Sequence, residues 1–289
     1  METVLMTDSS CDMPRKFIEE NNIQFLGLTC FYKGKAYEDD FGKTLTYKEF
    51  YDGMRHGEMP YTSQINVYRF AEVFEKFAKE KKSVIYIGFD SAISGTVQSA
   101  ATAKNEVLEK YPDADITVID TKSACVGQGL LVYYACEMLK NGASKDEIIN
   151  FINQNMLKVN HWFMVEDLFH LKRGGRISAT KAYVGSILNI KPIIFINDKG
   201  ELINVTNIRG RNRGMKYLVD MFREKAVPHE QVVTISHGDC EEDALALKDM
   251  LTSQFNIKKV IINPVGLVLG SHVGPGMLSL CFLGKDRSY

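Results

Sequence analysis

Short apolar runs alternate with amphipathic helical patterns through the first half of the chain, and this alternation constrains the fold more than any other feature. The apolar runs are TVLMT (3–7), IQFLGL (23–28), SVIYIGF (83–89) and DITVID (115–120). In the helical pattern spanning 66–82, Phe70, Phe74 and Phe77 recur at intervals of three and four residues. Almost wholly apolar strands that alternate with helices are typical of a parallel sheet covered on both faces.

The pattern changes near residue 158. A helical stretch, SKDEIINFINQNMLKV, opens with the capping-box pair Ser144 and Glu147. After it, KPIIFINDKGELINVTNIR predicts a hairpin with its turn at NDKG, followed by further alternating helices and strands. The 289 residues exceed what one hydrophobic core usually serves. We therefore predict an α/β fold in two domains, an N-terminal parallel-sheet domain (1–158) and a C-terminal mixed α+β domain (159–289).

Composition excludes several classes of function. Lys and Arg total 35 against 36 Asp and Glu, so binding to nucleic acid, as in a transcription regulator, has little electrostatic support. The six cysteines form no CxxC pair and no metal-ligand cluster with the six histidines, so no metal is expected. The first residues lack the pattern of a signal peptide, and no apolar run approaches the roughly 20 residues of a membrane span. These features predict a cytoplasmic protein with free thiols and no integral membrane segment.

Six polar or glycine-rich patches are candidates for chemistry. They are TDSSCD (7–12), YTSQ (61–64), SAISGT (91–96), TKSACVGQG (121–129), KRGGR (172–176) and GSHVGPG (270–276). Four of them, all but KRGGR and GSHVGPG, fall at predicted strand ends, where open α/β sheets bind ligands. The chain has no GxxxxGK[ST] and no GxGxxG after a strand, so nucleotide binding by these routes is disfavoured.

SAISGT itself admits three interpretations. Ser94 lies outside any GxSxG elbow, yet Ser94, Asp120 and His272 follow the chain order of α/β hydrolases, so a serine hydrolase acting on acyl esters is the alternative function. Ser94 could also simply cap the following helix. The third interpretation is an anion site, because free N–H groups near Gly95 and the helix dipole favour negative charge.

The other patches also have structural interpretations. Thr62 or Ser63 could cap the helix at 66–82, and His272 could be a paired core histidine. Arg173 and Arg176 could be solvated turn residues, or an arginine beside Gly-Gly could swing onto an anion. The segment TDSSCD could be a turn with Asx-type hydrogen bonds.

Taken together and in order, these segments resemble the DegV family. The resemblance rests on TDSSCDMP, YTSQ, SAISGTVQSA, VIDTKSACVGQG, DLFHLKRGGRIS, the KPIIFINDKGEL hairpin, RGRNRG and GSHVGPG, which span the whole chain. One departure is visible: Ile65-Asn66 follows TSQ, where many members have a proline. The hydroxyls are retained, but the rigidity of this loop could differ.

The resemblance implies a carrier rather than an enzyme, a lipid-binding subunit (FakB type) of a bacterial fatty acid kinase. Such proteins hold one long-chain fatty acid in a tunnel between two domains and present its carboxylate to a separate ATP-binding kinase subunit, which forms an acyl phosphate for phospholipid synthesis. The ligand is then the fatty acid, with no other cofactor. The carboxylate-binding residues implied are Thr62, Ser94, Gly95, Arg173 and His272, with Ser63 and Ser123 as weaker candidates.

Apolar side chains near these patches are candidates for the tunnel wall. They are Ile177, Val184, Ile187, Leu188 and Ile190 after KRGGR, and Leu267, Val268 and Leu269 before His272. Burial contributes about 0.8 kcal/mol per methylene, so about fourteen methylenes would supply roughly 11 kcal/mol before the costs of immobilisation. The tail would hold the ligand while the carboxylate orients it. Arg209, Arg211 and Arg213 would suit docking on an acidic partner surface or could lie in a solvated turn.

Overall fold

The computed structural model describes residues 1–177 and 189–289. Its first elements are β1 (Thr3–Asp8), α1 (Arg15–Glu20), β2 (Gln24–Leu26), β3 (Thr29–Tyr32), β4 (Lys35–Glu38), α2 (Tyr47–Arg55), β5 (Tyr61–Ser63), α3 (Val67–Lys79), β6 (Ser83–Gly88), α4 (Thr96–Lys110), β7 (Ile116–Asp120), α5 (Cys125–Lys140) and α6 (Lys145–Asn155). Short 3-10 turns cover Ser9–Cys11 and Met156–Lys158. The remaining elements are β8 (Val159–Met164), α7 (Phe169–Arg173), β9 (Ile190–Ile196), β10 (Leu202–Arg209), α8 (Arg211–Lys225), β11 (Val232–His237), α9 (Glu241–Thr252), β12 (Lys259–Pro264), α10 (Leu267–Val273) and β13 (Leu278–Leu283).

A parallel sheet organises the N-terminal part, in the order β2-β1-β6-β7. Side chains of β6 alternate between its faces. Val84 and Tyr86 pack with α3 and α4 in one apolar cluster, whereas Ile85 and Ile87 pack with α1, α5 and α6 in another. Both faces of the sheet are thus covered, and the predicted α/β fold class is confirmed.

A small antiparallel sheet, in the order β4-β3-β5, lies beside this layer. The expected hairpin at Lys33-Gly34 joins β3 to β4, with both turn residues at positive φ. Strand β5, which sequence patterning does not predict, contains most of the YTSQ patch and pairs Thr62 with Cys30. This pairing holds the Thr62 hydroxyl on a strand rather than on a loose loop.

A mixed sheet organises the C-terminal part, in the order β10-β9-β8-β13-β11-β12. The NDKG hairpin forms as expected between β9 and β10, and β11 runs parallel to β12. Alternate residues of β8 face opposite sides: Trp162 and Met164 pack under α8 and α9, whereas His161 and Phe163 face α5 and the N-terminal part. All strands of this sheet follow residue 158, and the division into two domains at that residue remains a prediction.

The N-terminal part holds the start of α10. The Gly266 N–H donates to Asp12 Oδ1 at 2.8 Å, and the Val268 N–H donates to Asp39 Oδ2 at 3.0 Å. The Tyr51 hydroxyl donates to the carbonyl of Val265 at 3.0 Å. Because His272 lies near the other end of this short helix, these bonds fix its position relative to β5.

None of the helices in the described ranges combines the length and the apolar character that a bilayer crossing requires. Residues 1–177 and 189–289 also contain no cluster of His, Cys, Asp and Glu side chains suited to a metal ion. All six cysteines are unpaired.

Candidate ligand-binding site

A cavity of about 350 Å³ lies where the N-terminal part meets the mixed sheet, a volume within the range of small-molecule sites. Its wall is mostly apolar and draws on both parts of the chain. The apolar lining residues are Leu28, Phe89, Ile93, Ala124, Phe163, Leu171, Ile196, Leu202, Val265, Val268, Leu269, Val273 and Met277. Such a wall fits a hydrocarbon ligand.

Of the wall residues expected from sequence, Val268 and Leu269 line the cavity. Ile177 and Leu267 are buried in core clusters, and Ile190 is partly buried at the start of β9. Val184, Ile187 and Leu188 lie outside the described residues.

Polar side chains gather at one end of the cavity, which we call the outer end and define by Thr62, Ser63, Ser94, Arg176 and His272. All five line the cavity, and each is at least partly exposed to solvent. His272 Nε2 lies 2.8 Å from Thr62 Oγ1, which joins α10 to β5. The outer end therefore brings together side chains that are up to 210 residues apart in the chain.

His272 is held as a neutral imidazole. Burial lowers its pKa to about 4, with further contributions from the positive charges of Arg176 and Arg173. Its Nδ1 atom is buried and has no hydrogen-bond partner among the described residues. The ring lies against Gly174, where a Cβ atom would overlap Nδ1. In the tautomer with the proton on Nε2, His272 donates to Thr62 Oγ1 and leaves the threonine hydroxyl free to donate to an anion.

The two arginines of KRGGR have different roles. Arg173 is largely exposed and donates to the carbonyls of Pro60 and Ser271, at 2.8 and 3.2 Å, which braces the backbone on either side of the Thr62–His272 pair. Arg176 lines the cavity, and donates to the carbonyl of Ile93 at 3.1 Å and to that of Gly174 at 2.6 Å. It forms no ion pair with the described residues, and the segment 178–188 contains no Asp or Glu. The positively charged side chain that lines the outer end is thus Arg176. The family resemblance implied Arg173 for this position instead.

Helix α4 begins beside the outer end. Gly95 is its N-cap residue and has no side chain to cap it, so the interpretation of Ser94 as the N-cap is wrong by one residue. The Ser94 hydroxyl instead accepts from the Thr96 N–H at 3.3 Å and lies 2.9 Å from Thr96 Oγ1. Gly95 also leaves room for Gln64, whose amide donates to Ser99 Oγ at 3.0 Å. Ser94 thus remains available at the cavity surface.

The residues after Thr62 also fill structural roles. Asn66 caps α3 by accepting from the Arg69 N–H at 3.0 Å, so the interpretation of Thr62 or Ser63 as that cap is wrong. Ile65 is buried in the core cluster beneath α3. The pair Ile65-Asn66 therefore replaces the usual proline with a core contact and a helix cap.

Ser123 is buried and bonded elsewhere. Its hydroxyl donates to the carbonyl of Thr121 at 3.1 Å and accepts from Arg287 Nη2 at 3.0 Å. Its role in this structure is to anchor the C-terminal arginine.

The residues of the hydrolase alternative do not form a catalytic triad. The Asp120 carboxylate pairs with Lys122 at 2.7 Å and accepts from the Ser91 N–H and hydroxyl, so it does not orient His272. His272 bonds to Thr62 rather than to Ser94. A nucleophilic serine needs a base that is itself oriented, and this arrangement provides none.

The opposite end of the cavity, the inner end, is defined by Cys125, His161, Ser279 and Cys281, all of which are buried. Cys281 lies in register with His161 across β13 and β8. Cys125 lies 3.0 Å from Asp12 Oδ2, and Asp12 also accepts from the Gly266 N–H at the start of α10, whereas His272 lies six residues further along that helix, roughly 9 Å away. The cavity therefore runs from the partly exposed outer end to the buried inner end.

Comparison with known proteins agrees with this architecture. A family model described as "Uncharacterised protein, DegV family" matches residues 2–285. A DegV domain-containing protein of Clostridium perfringens is 46% identical over 285 residues, which cover 98% of each chain.

Two solved structures are also similar over nearly their whole length. A DegV family protein from Thermus thermophilus, described as binding fatty acid, aligns with a TM-score of 0.88 at 28% identity, covering 98% of this chain and 100% of that one. A stearic acid-binding protein from Eubacterium ventriosum aligns with a TM-score of 0.85 at 28% identity, covering 99% of both chains.

The fold and the site define a protein with an elongated, mostly apolar ligand cavity between a parallel and a mixed sheet. The chain belongs to the DegV family.

Proposed function

We propose that this protein binds a single long-chain fatty acid, with the hydrocarbon tail in the cavity and the carboxylate at the outer end. The observation that carries the proposal is the position of Arg176, which lines the partly exposed end of a mostly apolar cavity and forms no ion pair with the described residues. A carboxylate removed from water needs charged or hydrogen-bonding partners, and an apolar tail needs a dry wall. The fatty acids described for relatives from Thermus thermophilus and Eubacterium ventriosum support the same ligand class.

The carboxylate would be held by several donors at once. Arg176 would supply the charge, and the hydroxyls of Thr62 and Ser94, with the N–H of Gly95, would supply neutral hydrogen bonds. His272 would act through Thr62, because its Nε2 proton directs the threonine hydroxyl away from the ring. Arg173 would be a positioning residue, since it braces the backbone beside Thr62 and His272 and is not among the described residues that line the cavity, whereas Arg176 is.

We further propose that the bound carboxylate is phosphorylated by a separate ATP-dependent kinase subunit, so that this chain is a carrier rather than an enzyme. A carboxylate oxygen would attack the γ-phosphorus of the partner's ATP, the bond from that phosphorus to the bridging oxygen would break, and ADP would leave with the electron pair. No proton has to be removed, because a carboxylate is already ionised at neutral pH. The acyl phosphate would then serve phospholipid synthesis, and the six free thiols fit a reducing cytoplasm.

The partial exposure of the outer end supports this division of labour. Ser63 is exposed, and the neighbouring Tyr61 is 62% exposed, so a second protein could approach the carboxylate while the tail stays enclosed. Arg211 is committed to Glu166 and Asp243, at 2.8 and 2.7 Å, which removes it from the suggested docking group. Arg209 and Arg213 are exposed and remain candidates for contact with an acidic partner surface.

Lipid extraction tests the binding step. Protein purified under native conditions should release one fatty acid per chain, identified by mass spectrometry with its length and number of double bonds. An ester-analogue probe that labels Ser94 covalently would instead support the hydrolase alternative.

The His272→Ala variant tests the carrier step. It should keep most of the fatty-acid affinity, because Arg176 and Ser94 remain, while lowering acyl phosphate formation by a fatty acid kinase subunit supplied with ATP. Equal and large losses of both would contradict the separate roles given to Arg176 and His272.

Charge reversal at Arg209 and Arg213 tests docking on the kinase subunit. Unchanged acyl phosphate formation would show that these two residues do not contact the partner.

A further inference from the structure

His161 is a buried histidine whose two ring nitrogens form no hydrogen bond of standard geometry with residues 1–177 and 189–289. Its side chain lines the inner end of the cavity and is 2% exposed. Neither Nδ1 nor Nε2 forms a hydrogen bond of standard geometry in the described part of the chain, and the nearby Val159 carbonyl already accepts from Arg287 Nε at 2.7 Å. The neighbouring residue Asn160, on the opposite face of β8, is fully engaged with Asp286 and Trp162. The lack of partners is thus confined to the face of β8 that borders the cavity.

The other polar groups of the inner end are already bonded to one another. The Cys125 thiol lies 3.0 Å from Asp12 Oδ2 and 2.9 Å from Ser236 Oγ, and Ser236 is bonded in turn to Ser279. Arg287, whose charge acts on His161, donates to the carbonyl of Val159 and to the Ser123 hydroxyl. His161 therefore provides hydrogen-bonding capacity that these neighbours do not use.

The backbone makes room for this ring. A Cβ atom at Gly127, in the first turn of α5, would overlap His161 Nε2. Leaving a buried polar group without a partner destabilises the fold, whereas an apolar side chain of similar size would incur no such cost. A histidine at position 161 is therefore less favourable than an apolar residue unless a ligand supplies a hydrogen-bond partner for its ring.

The protonation state of His161 indicates which partner would fit. Burial, followed by the positive charge of Arg287, lowers its pKa well below the usual value, so the ring is neutral. A neutral imidazole offers one N–H donor and one nitrogen acceptor. An alcohol hydroxyl can pair with either nitrogen, and a hydrocarbon chain can pair with neither.

We propose that His161 is a specificity-determining residue that favours fatty acids with a hydroxyl group far from the carboxylate. This inference rests on the proposed binding of a fatty acid with its carboxylate at the outer end. Because Cys125 of the inner end and the start of α10 share Asp12, and His272 lies six residues after Gly266, roughly 9 Å along that helix, a hydroxyl next to the carboxylate does not reach His161. A hydroxyl in the distal part of the fatty-acid tail does reach His161.

Binding measurements with matched ligands test the proposal. The ligands are stearate, α-hydroxystearate, a mid-chain hydroxystearate and ω-hydroxystearate, compared by calorimetry on delipidated protein. The wild type should bind the mid-chain or the ω-hydroxy acid at least as tightly as stearate, because the hydroxyl finds a partner. It should bind α-hydroxystearate no more tightly than stearate.

Two substitutions of His161 separate its polarity from its bulk. His161→Leu should weaken binding of the distal hydroxy acid about tenfold relative to stearate, which corresponds to about 1.4 kcal/mol. His161→Gln keeps one donor group and one acceptor and should retain most of the wild-type ratio. Since leucine leaves no buried group unpaired, this variant should fold at least as stably as the wild type.

The binding measurements distinguish failure of the proposed function from failure of the inference about His161. If the wild type binds none of the four acids, the proposed function itself is wrong. If it binds stearate but His161→Leu leaves the ratio of hydroxystearate to stearate unchanged, the inference about His161 is overturned while the binding function stands. A water molecule that satisfied the ring in every state would give this second result.

Discussion

The two histidines that line the cavity occupy similar environments at opposite ends of it. Each ring lies against a glycine backbone, His272 on Gly174 and His161 on Gly127, and burial lowers the pKa of both. They differ in their partners. His272 has Thr62 on one nitrogen and lies in a partly exposed region with Arg176, whereas His161 is buried and forms no hydrogen bond of standard geometry with any described residue.

The outer end is thus organised before a ligand binds, whereas the inner end can distinguish one ligand from another. At the outer end, hydrogen bonds within the protein position the donors before any ligand arrives, which lowers the cost of binding a carboxylate. At the inner end the His161 ring forms no hydrogen bond of standard geometry with the described residues, so under the proposal a ligand that carries the right group gains more than one that does not. Such a site discriminates between ligands without adding to the affinity for all of them.

The strongest test of the outer end is Arg176→Met. Losing a charged hydrogen bond to the carboxylate should weaken stearate binding by about 1.5–3 kcal/mol, or roughly 10–150-fold, measured by calorimetry. Arg176→Lys keeps the charge and should recover part of the loss. Arg173→Met is the matched control: because that side chain braces backbone carbonyls, we expect its main effect on thermal stability. Equal losses of affinity from Arg173→Met and Arg176→Met would remove the distinction between the two arginines.

The two glycines provide the next test. Gly174→Ala and Gly127→Ala should each destabilise the fold by about 1–3 kcal/mol in urea unfolding, since each new methyl overlaps a histidine ring. Their effects on binding should differ. Gly174→Ala displaces His272 and, like His272→Ala, should lower acyl phosphate formation from every fatty acid while most of the affinity remains, whereas Gly127→Ala should alter only the preference among tails. Identical effects on all ligands would mean that the two ends are not independent.

The pH dependence of stability should reveal the neutral state of His272. Its folded pKa of about 4 lies below the usual value near 6.5, so between these pH values the unfolded chain binds a proton that the folded chain does not. Stability from this group is therefore lost as pH falls from about 6.5 to about 4, by up to about 1.4 kcal/mol per pH unit. His272→Gln should remove that dependence, measured by urea unfolding at several pH values.

Asp39→Asn serves as a control of opposite sign. Burial raises the pKa of Asp39 to about 7, so its ionisation costs stability as pH rises from about 4 to about 7. Asp39→Asn should therefore remove this loss of stability at rising pH, whereas His272→Gln removes a loss at falling pH. Parallel curves for the wild type and both variants would contradict the assigned protonation states.

The smallest expected effect belongs to Ser123→Ala. Losing its hydrogen bonds with Arg287 and Thr121 should cost about 1 kcal/mol of stability and leave stearate affinity unchanged. Thermal unfolding and calorimetry on one preparation check both parts. A clear loss of stearate affinity would instead show that Ser123 contributes to the carboxylate site.

Much of the fold follows from local patterns in the sequence. The alternation of apolar strands and helices predicts the parallel sheet, and NDKG predicts the β9–β10 hairpin, because both depend on residues close together in the chain. Helix α10 was missed because GSHVGPG is dominated by glycine and proline. There the helix ends at Gly274, whose φ is +77°, directly after His272 and Val273.

The site was less accessible to sequence reasoning, since its partners are distant along the chain. KRGGR contains two arginines, and the sequence does not tell which one reaches the cavity after the turn at Gly175. Ser123 resembles any other serine at a strand end until its bond with Arg287, 164 residues away, is known. The sequence shows His161 only as a polar residue within an apolar strand, and its missing hydrogen bonds among the described residues become visible only in the structure.

The bonds from Asp12 and Asp39 to the start of α10 have a consequence for how fast a lipid can exchange. They join the first 40 residues to the segment that leads into β13, so separating the two parts of the chain would break several buried hydrogen bonds at once. For a fatty acid bound as proposed, release by separation of the two parts would therefore carry the cost of breaking these bonds. We expect release through the outer end to be easier, with residence times that depend on tail length far more than on the concentration of competing lipid.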